Sequence, residues 1–182
     1  MDKKENRKIR YTKMVIRSSL MELMKSKSIL DVSIKDICEL ADISRTTFYA
    51  HYKDQYELLR QIEEETFIYI KNMLDKYKEK NSKREIMQML EETFTYVANN
   101  GSSTQVLLSE NGDASFQKKL IQHLINHNPV TNRLYKNQND EEGKYYSVYM
   151  VHGSIGLIQH WLKNNMSIPV PQFARMVSNL LG

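Results

Sequence analysis

Apolar positions recur every three to four residues along most of this chain rather than alternating, which is the period of helices that bury one face. Between Ile9 and Lys25, the residues Ile16, Leu20, Leu23 and Met24 share a face and predict a first helix, with Lys13 and Arg17 one turn apart elsewhere. The preceding stretch, residues 1–8, is polar and charged and reads as a mobile arm. Ser33-Ile-Lys-Asp36 forms a capping box that opens a short helix carrying Ile34, Ile37, Leu40 and Ala41. Asp42-Ile43 is then a tight turn, and Ser44 caps another short helix with Phe48 inside, ending near His51-Tyr52. Asp54-Gln-Tyr-Glu57 repeats the box and starts a long helix over about 54–79 through Leu58, Ile62, Ile68 and Leu74. Ser82-Lys-Arg-Glu85 caps the next, which runs to about Ala98 and stops at Asn99-Asn100-Gly101.

The second half gives a coarser pattern. Helices are expected around Ser103–Ser109 and Ala114–Asn126, a mobile loop over 131–143, and a long helix over 144–164 with apolar residues on more than one face. Pro169 and Pro171 introduce a final helix to about Leu181. Glycine and proline together number only nine, and neither occurs before Gly101. A β-rich chain of this length would need many more turn residues, so the fold class is all-α.

Composition narrows the functional classes. Hydrophobic residues make up 41% of the 182 positions, enough for a packed core. No apolar run approaches the roughly 20 residues that span a bilayer, and no secretory h-region follows the basic start, so a cytoplasmic protein is expected. One cysteine, Cys38, leaves no disulfide framework or Cys-rich zinc site. Charge is unevenly placed: residues 1–53 hold 12 basic and 7 acidic side chains, net +5, whereas 54–182 hold 14 and 15, net −1. That distribution fits either a solvated basic terminus or the electrostatic footprint of a protein that meets a phosphate backbone.

Two short helices, 34–41 and 44–51, joined by a tight turn and packed on a longer one, constitute a helix-turn-helix. In this arrangement the second helix enters the major groove while the first crosses the DNA backbone. Ile37, Leu40, Ala41, Ile43, Phe48 and Tyr52 should face inward, leaving Arg45, Thr46, Thr47, Ala50 and His51 outward. Arg45 suits a bidentate pair with guanine and the Thr methyls suit thymine, while Tyr49 and His51 suit phosphates, with Lys53 adding charge. The stretch from Ser33 to Tyr52, and above all Ala41-x-Ile-Ser-x-x-Thr-Phe-Tyr-x-His51, resembles the signature of the TetR family of bacterial transcriptional regulators, over about residues 9–60. The resemblance implies a three-helix DNA-binding domain within 1–53 and a helical ligand-sensing and dimerisation domain over 54–182. It makes Ser33, Arg45, Thr46, Thr47, Tyr49, His51 and Lys53 the DNA-contact candidates. The chain departs from the family at two positions often taken by Gly, which are Asp42 and Thr46 here.

Residues Tyr145-Tyr146 through Val151-His-Gly-Ser-Ile-Gly156 to Trp161-Leu162-Lys163 resemble a C-terminal subgroup that includes a regulator of dihydroxyacetone utilisation responding to a protein partner. In the family the last two long helices build a four-helix dimer interface. Gly153 and Gly156 would allow close helix approach there and Trp161 a large buried contact; alternatively, the glycines avoid clashes within one subunit. A pocket, implied by family and architecture, would draw on Phe67, Ile70, Phe94, Tyr96, Leu107, Phe116, His123, Tyr149 and His152.

Other chemistry is thin. His123 and His127 have metal-ligand spacing, but residue 124 is Leu rather than Glu, so no metal is expected. No nucleophile elbow or phosphate-binding glycine loop occurs, and neither catalysis nor a cofactor is expected. The expectation is a homodimeric regulator of palindromic double-stranded DNA, a repressor released by a small-molecule or protein effector. The alternatives are an activator or co-regulator that docks a protein partner and, more remotely, a small-molecule-binding or catalytic helical protein without DNA function.

Overall fold

The computed structural model describes residues 3–80, 82–127, 129 and 141–180. Among them it contains nine α-helices and no strand: α1 Lys3–Met24, α2 Ile34–Ala41, α3 Arg45–Tyr49, α4 Gln55–Tyr77, α5 Lys83–Asn99, α6 Gly101–Leu107, α7 Ala114–His127, α8 Glu141–Lys163 and α9 Val170–Leu180. A single 3-10 turn, Ile29–Asp31, joins α1 to α2. The expected mobile arm is instead helical from Lys3, because nothing in the first eight residues breaks the α1 pattern. The expected loop over 131–143 lies outside the described residues except at 141–143, which begin α8. Asn99-Asn100-Gly101 ends α5 as expected, but the chain turns straight into α6, and Asn100 serves as the C-cap of one helix and the N-cap of the next.

Local chemistry sets the early boundaries. Ser33 Oγ accepts from the Asp36 N–H while Asp36 Oδ2 accepts from the Ser33 N–H, each at 3.1 Å. Ser82 and Glu85 repeat this reciprocal box at α5; each such cap contributes about 1 kcal/mol. At α4 the box is displaced: Asp54 accepts from the Glu57 N–H, but Glu57 Oε2 accepts from Lys53 N at 2.6 Å, one residue earlier than expected.

Two apolar clusters hold the helices together. The first joins Ile16, Leu20, Met21 and Met24 of α1 to Ile37, Phe48, Tyr52, Leu58 and Ile62, and continues into Val106, Leu107, Phe116 and Leu120 of α6 and α7. The second joins the far end of α4 to α5, α8 and α9 through Leu74, Met89, Phe94, Trp161 and Phe173. The long α4 runs through both, and Ile70 and Leu124 touch each. Two apolar positions of the sequence pattern turn out exposed: Leu40, at 51%, and Ile68. Each lies on the outer flank of a helix whose inward stripe is already filled, Leu40 beside Ile37 and Ala41, and Ile68 away from Ile62 and Leu74.

The end of α6 is fastened to its neighbours by side-chain amides. Gln117 Nε2 donates to the carbonyls of Leu107 and Ser109 at 2.8 and 2.7 Å. Asn111 Nδ2 donates to the Lys25 carbonyl at the end of α1, and Gln159 Nε2 of α8 to the Leu108 carbonyl. Gly112 is required in this turn, since a Cβ there would meet the Val106 carbonyl oxygen at 2.7 Å.

Candidate DNA-binding interface and interior cavity

The α2–α3 turn depends on Asp42, which adopts φ 52° and ψ 50° while its N–H bonds back to Cys38 and Glu39. Asp tolerates this left-handed conformation better than most residues though less well than Gly. Ser44 then accepts from the Thr47 N–H and starts α3. Phe48 is the pivot of the motif. Fully buried, it forms a T-shaped pair with the Tyr49 ring at 5.8 Å and lies 5.9 Å from Tyr52. Cys38 is buried beside them, and burial pushes its thiol pKa up, consistent with a small core residue.

With Phe48 inward, α3 turns Arg45, Thr46, Tyr49 and Ala50 outward, and Tyr49 is 55% exposed. This face differs from the one expected. Thr47 and His51, one turn apart, are half-buried on the flank; the Thr47 hydroxyl pairs with Ser44 Oγ at 2.9 Å, and the His51 ring leans toward Tyr52. Ser33 is exposed at the start of α2, its Oγ engaged in the capping box, and Lys53 is exposed just before α4. Behind the motif, Arg17 of α1 grips Glu65 of α4 through two bonds of 2.9 and 2.6 Å, which raise the guanidinium pKa further. Lys13 sits 6.0 Å from the Tyr52 ring centroid.

An apolar cavity of about 160 Å³ lies between α4, α5, α6, α7 and α8. Five of the expected pocket residues line it: Ile70, Phe94, Tyr96, Leu107 and Phe116. The other four do not. Phe67 and His123 pack against each other at 5.1 Å outside it, while Tyr149 and His152 lie exposed on the outer side of α8. With apolar residues on several faces of α8, periodicity alone could not choose its inward side; Met150, Val151, Ser154, Ile155 and Ile158 supply the wall instead. None of these, nor Met73, Met89 or Thr104, is among the pocket residues expected from the sequence, because nothing local marks a wall that five helices form together.

Trp161, expected at the dimer interface, is instead only 3% exposed within its own subunit. It stacks on Phe173 with ring centroids 4.4 Å apart and donates from Nε1 to the Ile168 carbonyl at 2.8 Å. Gly153 and Gly156 do lie on open surface: a Cβ at either would meet nothing within 4 Å. The alternative that these glycines relieve crowding within one subunit therefore does not apply. Along the same face, Tyr145 and Tyr149 are 72% and 70% exposed.

His123 and His127 stack at 4.3 Å, and burial together with the neighbouring His127 lowers the His123 pKa. Among the described residues no group of three or more His, Cys, Asp or Glu could hold a metal ion. Among the same residues no helix is long and apolar enough to cross a membrane.

Fold and motif together define an all-α protein with an N-terminal helix-turn-helix. Residues 84–182 match the TetR family described as the transcriptional regulator C-terminal region. The chain belongs to the TetR family of transcriptional regulators, whose members bind DNA and dimerise and are not enzymes. It is 22% identical over 173 residues to the HTH-type transcriptional regulator YxbF of Bacillus subtilis (strain 168), covering 92% of this chain but 44% of that protein. The chain thus spans less than half the length of this relative. A TetR transcriptional regulator from Streptococcus agalactiae 2603V superposes with a TM-score of 0.60 at 20% identity, covering 97% of each chain. The dihydroxyacetone kinase operon activator DhaS superposes with a TM-score of 0.55 at 20% identity, covering 93% of each. At these identities the likeness to the two structures is one of fold.

Proposed function

We propose that the protein is a homodimeric, sequence-specific DNA-binding repressor whose operator affinity falls when an effector occupies the interior cavity. Residues 1–53 act as the DNA-binding domain and 54–182 as the sensing and dimerisation domain. The observation that carries the reading is the outward face of α3, where Arg45, Thr46 and Tyr49 are exposed while Phe48 anchors the helix from behind. Arg45 reads a base edge; Tyr49 and Lys53 hold phosphates, with Ser33 at the start of α2; Thr47 and His51 act from the flank. A dimer must present two such helices about 34–36 Å apart to read a palindrome. The open stripe of α8, with Gly153 and Gly156 between exposed tyrosines, supports self-association there.

The packing offers a route from cavity to DNA. Leu107, Phe116 and Leu120 are cavity walls and also members of the cluster that holds α1, α2 and α3. An occupant that displaces them acts on α1 through that cluster and through the Asn111–Lys25 bond. A cavity of about 160 Å³ lined by the subunit's own helices favours a small molecule over a protein partner as the releasing signal.

Footprinting with DNA from upstream of the protein's own gene tests the proposal. Arg45→Ala should relax specificity at one base pair by ~1–3 kcal/mol, and Tyr49→Ala should weaken all sequences about equally. Protection overlapping the polymerase site fits repression; protection upstream of it fits the activator reading. A protein in which neither substitution changes DNA binding has its interface elsewhere.

A further inference from the structure

We infer that the cavity takes an uncharged, mainly hydrocarbon ligand carrying at most one neutral hydrogen-bonding group, which rests on the reading of this cavity as the effector site. None of the described residues that line it is Asp, Glu, Lys, Arg or His. Its walls are aliphatic, aromatic and thioether groups relieved only by hydroxyls. Three of those six hydroxyls already donate hydrogen bonds. Thr66 and Thr93 donate to the Ile62 and Met89 carbonyls at 2.8 and 2.7 Å. Tyr96 donates to Thr66, and its ring is stacked by Tyr69 at 3.8 Å. The hydroxyls of Tyr69, Thr104 and Ser154 have no hydrogen-bond partner among the described residues.

A charged headgroup entering this space would lose its hydration and find no counter-charge, whereas a hydrocarbon loses nothing polar by entering. One neutral hydroxyl or carbonyl could be met by Thr104 of α6 or Ser154 of α8. At about 160 Å³ the empty space is of the size that admits a single benzene ring in an apolar protein interior, about 150 Å³. Met73, Met89 and Met150 form part of the wall, and unbranched thioether side chains shift readily to admit a longer chain.

The test is calorimetric titration of the full chain with 1-octanol, octanoate and octylammonium, which share one hydrocarbon length and differ in charge. The expected result is saturable binding of octanol, one per subunit, at least tenfold tighter than either ion. Ser154→Leu, which fills the cavity, should weaken octanol at least tenfold; Leu124→Phe serves the same purpose should the first variant fold poorly, as read by helical circular dichroism. Octanoate or octylammonium binding as tightly as octanol overturns the inference. So does the absence of saturable octanol binding, or octanol binding undiminished in a folded cavity-filled variant. Operator affinity is measured separately with and without octanol: saturable binding that leaves it unchanged supports the ligand class while removing the release mechanism.

Discussion

The two halves of this molecule use buried volume in opposite ways. Around Phe48 the interior is filled: short helices, reciprocal caps and a left-handed Asp42 hold a small motif against α1 and α4. Between α4 and α8 the helices line about 160 Å³ of apolar space instead, and α8 turns an open, glycine-bearing face to solvent. A surface that must match a DNA groove needs rigid backing. For the proposed sensing and association, the second half would need space and an unpaired face, both of which cost stability. The contrast implies that the first half tolerates substitution poorly inside, whereas the cavity and the open α8 face of the second tolerate added bulk.

The largest effect should follow from emptying the filled region. Phe48→Ala removes a fully buried ring from the motif and should cost about 3–5 kcal/mol, read as a lower denaturation midpoint, with DNA binding lost. Loss of DNA binding without loss of stability would show that Phe48 does not act as a structural anchor.

Next comes a group at the junction. Glu63 of α4 has a buried Oε1 with no hydrogen-bond partner among the described residues, and burial, with Asp113 nearby, raises its carboxyl to about 7 despite Arg60 and Lys119. Its folded form holds the proton more tightly than the unfolded chain, so stability falls as pH rises from the ordinary value of 4.5 to about 7 and is level on either side. Glu63 is only half-buried, so solvent screening reduces the effect. Glu63→Gln should match the parent protein below pH 4.5 and exceed it above pH 7, by ~1–2 kcal/mol. Equal melting temperatures for the two proteins at pH 8 would contradict this.

Smaller still, Asp42→Gly should stabilise the turn by ~0.5–1 kcal/mol, because Gly adopts positive φ without strain. Equilibrium unfolding in urea measures it. Destabilisation would mean that the Asp42 side chain supports the turn in a way its geometry does not reveal. In the open region, Gly156→Leu should leave the fold of each subunit intact, since a Cβ there meets nothing. Sedimentation should report weaker self-association, and an unchanged dimer would place the interface off α8.

Legibility in the sequence followed the same divide. Ser33, Asp42, Ser44 and Phe48 act through neighbours within a few residues, so spacing alone located the caps, the turn and the anchor. Helix order was legible for the same reason. Trp161, Tyr149 and His152 were misplaced because α8 carries apolar residues around more than one face, and only contact with α5 and α9 decides which side is inside. A cavity leaves no local mark at all. It arises where five helices fail to meet, and Met73, Met89 and Ser154 belong to its wall only through that global arrangement.

The proposal stands or falls on recognition of a specific operator by the exposed face of α3. Its most direct test is titration of purified protein against DNA from upstream of its own gene and against scrambled DNA, over a salt series. Preference for the native fragment, two subunits per site, and an affinity that falls steeply with salt as phosphate counterions are released are the expected results. No binding to either DNA at low salt would contradict it.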